Sequence, residues 1–241
     1  MLYFGSCRYM YEFEWNSFLG RVHTTREIGA TISMIGEVLE DRYPKPILTY
    51  LFGDLGHPGV GYGYNGTGLV RDQDLKSVKD IIIEVSSNIV QKFYINKQPV
   101  YGNTHYLKMD NHMKDTYTAS CAVYESETIT LSPQDIERDI GLINTLIKDK
   151  FHSEANLHVI PPLNLKLSDA GNYIESRVTN TRALEEACIQ HKVNFCNIGK
   201  HLEDVYKNPT LQKFQPGGSY YEPELFDKYV KPYLESIIIL P

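Results

Sequence analysis

The residues of this chain whose types and spacing could do chemistry cluster where short apolar runs end. Leu2-Tyr3-Phe4 stops at Gly5-Ser6, and Cys7 and Arg8 follow directly. A buried strand that ends this way presents the Ser6 hydroxyl, with Cys7 and Arg8 beside it, on a tight turn that Gly5 permits. A Gly-Ser pair is equally an ordinary end to a strand. Open α/β sheets bind their ligands beyond the carboxyl ends of the strands, so a hydroxyl placed there is available for nucleophilic or binding work. A second polar cluster, Ser86-Ser87-Asn88, closes the apolar run that begins at Asp80. His23 stands directly before a helix start, His201 just past the last apolar run, and His105 in the middle of the chain. These three are the candidate proton acceptors, although the plain role of His23 is that of a turn residue.

Metal and cofactor chemistry find less support. Cys7, Cys121, Cys188 and Cys196 form no CxxC pair and have no zinc-site spacing. Cys188 and Cys196 fall in apolar segments, where a reduced thiol behaves as a small hydrophobe. His105 and His112 lack a neighbouring acidic cluster that would complete a metal site. Residues 53–68 hold seven glycines, and Gly61-Tyr62-Gly63-Tyr64-Asn65-Gly66 matches G-x-G-x-x-G. A dinucleotide loop needs that motif squeezed between a strand and a helix, whereas the nearest apolar run here ends at Phe52. The expectation is a mobile loop on the substrate side, with no metal and no cofactor.

These groups need a scaffold to position them, and strands alternating with helices supply it. Ile81-Ile82-Ile83 marks a central strand covered on both faces. Residues 156–160 and 193–198 are further core strands, and residues 47–52 form a short strand or helical turn. Thr24 to Glu27 fits a capping box, and Ile28, Ile32, Ile35 and Leu39 continue a helix to about Arg42, closed by Pro44 and Pro46. Ser132 caps a helix with Pro133 in its first turn and Ile136, Ile140, Ile143 and Ile147 on one side. A third helix spans residues 173–192 with Ile174, Val178, Leu184 and Cys188 inward, and residues 223–239 form a last helix bent or broken at Pro232. Phe93-Tyr94-Ile95 and Pro99-Val100-Tyr101 read as a hairpin. The rest of 91–131 reads as an irregular insertion near the functional edge. The sum is one three-layer α/β/α domain with a mainly parallel, flavodoxin-like sheet.

At 241 residues the chain can bury one substantial core. Its formal charge of -6 argues against a partner bound through a phosphate backbone. The 18 tyrosines suit a sugar or nucleobase pocket without deciding for one. The apolar start is too short for a signal peptide, with Arg8 and Glu12 close behind, and no run reaches the ~18 apolar residues of a membrane helix. A cytoplasmic protein with a small-molecule or carbohydrate ligand, and neither nucleic acid nor membrane as partner, is expected.

Taken in order, Gly5-Ser6-Cys7, Ser86-Ser87-Asn88 and Val159-Ile160-Pro161-Pro162-Leu163 resemble the SGNH (GDSL-like) hydrolases. The opening is similar to the GSCFA branch of that superfamily. The resemblance implies that Ser6 is the nucleophile, that Asn88 or a neighbour stabilises the oxyanion, and that Gly5, Cys7, Arg8, Ser86, Ser87, Asn164 and Tyr220 line the substrate crevice. Family members carry a D-x-x-H pair just before the terminal helix. Gly217-Gly218-Ser219-Tyr220 stands there instead, leaving no family base. If Ser6 is active, another histidine, His23, His105 or His201, must replace that base. The expected function is therefore an esterase or deacetylase of a small ester or acylated carbohydrate, with altered or lost machinery. Two alternatives remain: a noncatalytic ligand- or protein-binding module on the same fold, and a nucleotide-sugar or dinucleotide enzyme using residues 53–68.

Overall fold

The computed structural model describes residues 2–5, 18–33, 35, 75–95, 105–107, 123–218 and 220–237. Five strands form the main sheet: β1 (Leu2–Gly5), β2 (Phe18–Arg21), β3 (Asp80–Glu84), β7 (Asn156–Ile160) and β8 (Asn194–Phe195). Every pairing among them is parallel, in the order β2-β1-β3-β7-β8. Counted within this sheet alone, that is the 2-1-3-4-5 order of the flavodoxin-like fold, with its switch point between β1 and β3. The expected three-layer α/β/α architecture is therefore the one observed. Ile81, Ile82 and Ile83 are wholly buried, and Ile81, Ile82 and Ile83 pair with Leu2, Tyr3 and Phe4 on one side and Leu157, His158 and Val159 on the other.

Side chains alternate between the two faces of a strand, and that alternation divides the core in two. Leu2, Phe4, Ile81, Ile83, Leu157 and Val159 meet three helices: α1 (Thr25–Ser33), α2 (Pro133–Lys150) and α3 (Glu175–His191). Tyr3, Ile82 and Ile160 face the opposite way. They meet α4 (Ile198–Val205), α5 (Leu211–Phe214) and a terminal run that begins at Pro223–Leu225.

Both predicted caps are present. Thr24 Oγ1 accepts the Glu27 amide at 3.2 Å while Glu27 Oε2 accepts the Thr24 amide at 2.8 Å. Ser132 and Asp135 make the same reciprocal pair at the start of α2. The buried stripe of α2 is Ile136, Ile140, Ile143 and Ile147, as its spacing predicts. On α3 the inward stripe runs instead through Asn180, Thr181, Leu184 and Cys188, and Val178 is exposed. The terminal run passes through a π-helical turn, Phe226–Val230, before ending at Lys231–Ile237. Pro232 has no amide proton to return to an earlier carbonyl, and the widened turn directly before it absorbs that loss.

The segment expected to be irregular contains structure. Strands β4 (Ile89–Ile95), β5 (His105–Leu107) and β6 (Val123–Thr130) form a separate antiparallel sheet in the order β5-β4-β6. Phe93 thus pairs with His105 and Ser126. Alternation within 123–130 is masked by its run of hydroxyl and acidic residues, which is why its period is weak. The expected partner strand Pro99-Val100-Tyr101 lies outside the described residues, as do the strand or turn at 47–52 and the glycine-rich stretch 53–68. No helix among the described residues is long and apolar enough to cross a membrane.

Candidate functional site at the carboxyl edge

Three chain segments leave the sheet side by side at the switch point. Gly5 ends β1, His23 follows β2, and Ser86 follows β3. The Gly5 carbonyl accepts the Val22 amide at 3.2 Å, which brings the β2–α1 connection against the end of β1. His23 is then held on every side. Its amide donates to Glu27 Oε2 at 2.9 Å, and its carbonyl accepts the Ser86 and Ser87 amides, both at 2.9 Å. Its ring Nδ1 lies 2.9 Å from Ser86 Oγ. Both side chains are half-buried, and a histidine–serine pair at a water-accessible sheet edge is equipped for proton transfer.

Local sequence explains the arrangement. The capping box turns the chain sharply at Thr24 and fixes His23 in front of α1. Glu27 Oε2 accepts three protons at once, from the His23 amide, the Thr24 amide and the Thr24 hydroxyl, the last at 2.9 Å. Leaving the strand after Glu84 frees the Ser86 and Ser87 amides for His23. Ser87 Oγ in turn accepts the Ile89 amide at 3.1 Å, and the Asn88 carbonyl accepts the Leu131 amide at 2.8 Å.

Beneath Gly5 lies a pair that the sequence reading missed. Tyr3 donates its hydroxyl to Glu84 Oε2 at 2.7 Å, and both residues are fully buried. A Cβ at position 5 would sit 2.5 Å from Tyr3 Oη and 2.7 Å from Glu84 Cβ, so only glycine fits this crossing. The available signal was Glu84 itself, an acid two residues past Ile82 in a strand covered on both faces.

The remaining expected residues divide. Asn164 follows the buried pair Pro161-Pro162 at the end of β7, in the carboxyl-edge layer. His201 belongs to α4. Its Nε2 donates to the Tyr229 carbonyl at 3.1 Å, and its ring stacks on Tyr233 with centroids 4.1 Å apart. Both of these partners belong to the terminal run, so the geometry gives His201 a packing role. Tyr220 is about half exposed beside a turn in which Gly218, at φ 75°, returns its amide to the Gln215 carbonyl. His105 is placed in β5, opposite Phe93. Ser6, Cys7, Arg8, His112 and Cys121 lie outside the described residues. A histidine–carboxylate pair, His158 Nε2 with Asp80 Oδ1 at 3.1 Å, starts from the first residue of β3 and so belongs to the opposite half of the sheet.

Cys188 and Cys196 are buried and unpaired, and burial pushes both thiols up to about 12. They are packing residues and not nucleophiles. Among the described residues no group of three or more His, Cys, Asp or Glu side chains forms a metal site. Several buried polar atoms have no hydrogen-bond partner: Asn164 Oδ1, Asn180 Oδ1, Thr181 Oγ1 and both amide atoms of Gln215. Each such atom costs about 1–3 kcal/mol if nothing pairs with it.

No family model and no curated protein matches the chain.

Proposed function

We propose that the chain is a serine hydrolase of the SGNH type whose base stands in the β2–α1 connection instead of the terminal loop. Its substrate is a small ester or an acylated carbohydrate. The observation that carries this reading is the 2.9 Å contact between His23 Nδ1 and Ser86 Oγ, which joins the segments that follow the two strands flanking β1.

Ser86 is better suited to orient the imidazole than to attack. A nucleophilic serine needs nearby amides aimed at the developing oxyanion, and the Ser86 and Ser87 amides are both spent on the His23 carbonyl. With Ser86 Oγ accepting from Nδ1–H, proton transfer falls to Nε2. Ser6, which follows Gly5, is the assigned nucleophile. Its oxygen bonds to the acyl carbon as its proton passes to His23 Nε2. The alcohol then leaves with that proton, and water, deprotonated by the same nitrogen, releases the acid and restores Ser6. Asn88 is the assigned neutral donor to the oxyanion. A serine orienter carries no charge, so it stabilises the imidazolium less than a carboxylate does, and a modest rate follows. Both described cysteines are unpaired, which fits a reducing, cytoplasmic setting.

Hydrolysis of p-nitrophenyl acetate by wild type, Ser6→Ala, Ser86→Ala and His23→Ala tests the reading. Losses of at least about 10²-fold are expected for Ser6→Ala and His23→Ala, and a smaller loss for Ser86→Ala. Equal rates in wild type and His23→Ala would sink it.

One observation favours the noncatalytic alternative. The turn before the terminal run carries an exposed Tyr220 where the family's base belongs, and ligand binding that survives Ser6→Ala without any turnover would select that alternative. The nucleotide-binding alternative rests on residues 53–68, which lie outside the described residues.

A further inference from the structure

Three carboxylic acids among the described residues are sealed from water: Glu27 and Glu84 at 0% exposure and Asp139 at 3%. Burying an acid is costly, and buried acids gather where they pair with a cation or tune a functional group. Asp139 has its cation in Arg26, whose Nε lies 2.9 Å away. The other two belong to the two segments that hold the imidazole of His23.

Glu27 reaches His23 directly, its Oε2 accepting the His23 amide at 2.9 Å. Glu84 is the last residue of β3, two residues before Ser86, so the Cα atoms of Glu84 and Ser86 are at most about 7 Å apart. A Cβ on Gly5 would lie 2.7 Å from Glu84 Cβ, which sets this acid against the residue that precedes Ser6. The ring of His23 lies in turn 2.9 Å from Ser86 Oγ.

We infer that Glu27 and Glu84 act through His23, as two buried carboxylates that favour its imidazolium form. Ser86 orients the ring without bringing a charge. Charges in a poorly polarisable interior are screened little, so a carboxylate there biases the ring without touching it. The other charged or titratable groups around this place are accounted for. Arg26 on α1 joins Asp135, Asp139 and Arg138 of α2 in one network. Tyr3 on β1 donates its hydroxyl to Glu84 at 2.7 Å, and β7 places the apolar Ile160 opposite Glu84. The catalytic purpose, a more basic acceptor for the Ser6 proton, rests on the hydrolase reading. The effect on the ring rests on this geometry alone.

The test is an NMR titration of the imidazole Cε1–H signals in wild type, Glu27→Gln and Glu84→Gln, with His23 identified as the signal missing from His23→Ala. Each glutamine keeps the shape and an accepting oxygen and removes the charge. His23 is expected to titrate about half a pH unit or more lower in each variant. The acid limb of the kcat/KM profile on p-nitrophenyl acetate should move down with it. Asp80→Asn removes the same charge at the opposite end of β3 and should leave His23 unmoved. An unchanged or raised His23 titration in either folded variant overturns the inference, as does an equal shift in Asp80→Asn. Where one variant loses its cooperative melting, the other decides alone. Lowered titrations without any His23-dependent hydrolysis count against the hydrolase reading and leave the inference standing. His23-dependent hydrolysis with an unshifted titration does the reverse.

Discussion

Tyr3 and Glu84 meet across adjacent parallel strands, hydroxyl to carboxylate at 2.7 Å, with neither residue exposed to water. Gly5 closes over this pair, and a Cβ there would also lie 2.7 Å from Tyr3 Cζ. Gly5→Ala is therefore expected to cost about 1–3 kcal/mol in urea unfolding, the usual penalty for overpacking a tight core. Adding Tyr3→Phe should not restore it, because the ring carbon clashes even without the oxygen. A Gly5→Ala protein as stable as wild type would show that β1 can shift away from β3.

Glu27 ties the helix cap to the candidate base. Removing its carboxylate in Glu27→Ala strips the acceptor from the His23 amide and from both Thr24 donors. Stability should fall by about 1–3 kcal/mol. If His23 is the working base, kcat on p-nitrophenyl acetate should also drop about tenfold with little change in KM, because the loss is of aim and not of binding. A fall in stability with kcat untouched would leave Glu27 as a helix cap alone.

Acid should loosen the N-cap of α2, and to a lesser degree its contact with α1, through one carboxylate in particular. The Ser132 hydroxyl and amide, and then Arg26 and Arg138, hold Asp135 down to about 2. Its pKa is depressed in the folded state, so its contribution is present above the unfolded value of about 3.9 and is lost as pH falls from there toward 2. Unfolding free energies followed across that window should decline less steeply in Asp135→Asn than in wild type. Arg26 also binds Asp139 at 2.9 Å, and burial raises the pKa of that carboxyl despite the arginine. Asp139 must therefore be left intact when the Asp135 slope is read.

Gln215 offers a gain instead of a loss. It is 2% exposed, and neither end of its carboxamide has a partner. Gln215→Met keeps the length of the side chain and removes both polar atoms, and should raise stability by about 1–3 kcal/mol. A lower melting temperature would show that water or another group pairs with the amide in solution.

The architecture could be read from local chemistry because its signals were local. Thr24 with Glu27, Ser132 with Pro133, and the isoleucines of β3 and α2 each fix an element within a few residues, and their order selects a parallel sheet. The candidate site was legible only as parts. Residues 23 and 86 were both chosen as polar ends of elements, yet their contact depends on β2 and β3 flanking β1, a relationship across 63 positions with no spacing to reveal it. Asn180 and Thr181 were hidden for a different reason. A helix wheel assigns polar residues outward, and Val178, which hydropathy assigned inward, took the exposed place. In residues 123–130 the hydroxyl and acidic side chains of a strand paired with β4 read as loop composition.

The division of helices between the two faces of the sheet has a consequence for synthesis on the ribosome. Helices α1, α2 and α3 are each made between successive strands, so the face of Leu2, Phe4 and Ile81 can be covered as the chain emerges. Among the described residues, every helix that covers Tyr3, Ile82 and Ile160 lies after β8 in the chain. A nascent chain with all five strands formed therefore still lacks α4, α5 and the terminal run, the described helices that cover this apolar face. A premature stop anywhere before residue 198 would remove all of these covering helices at once.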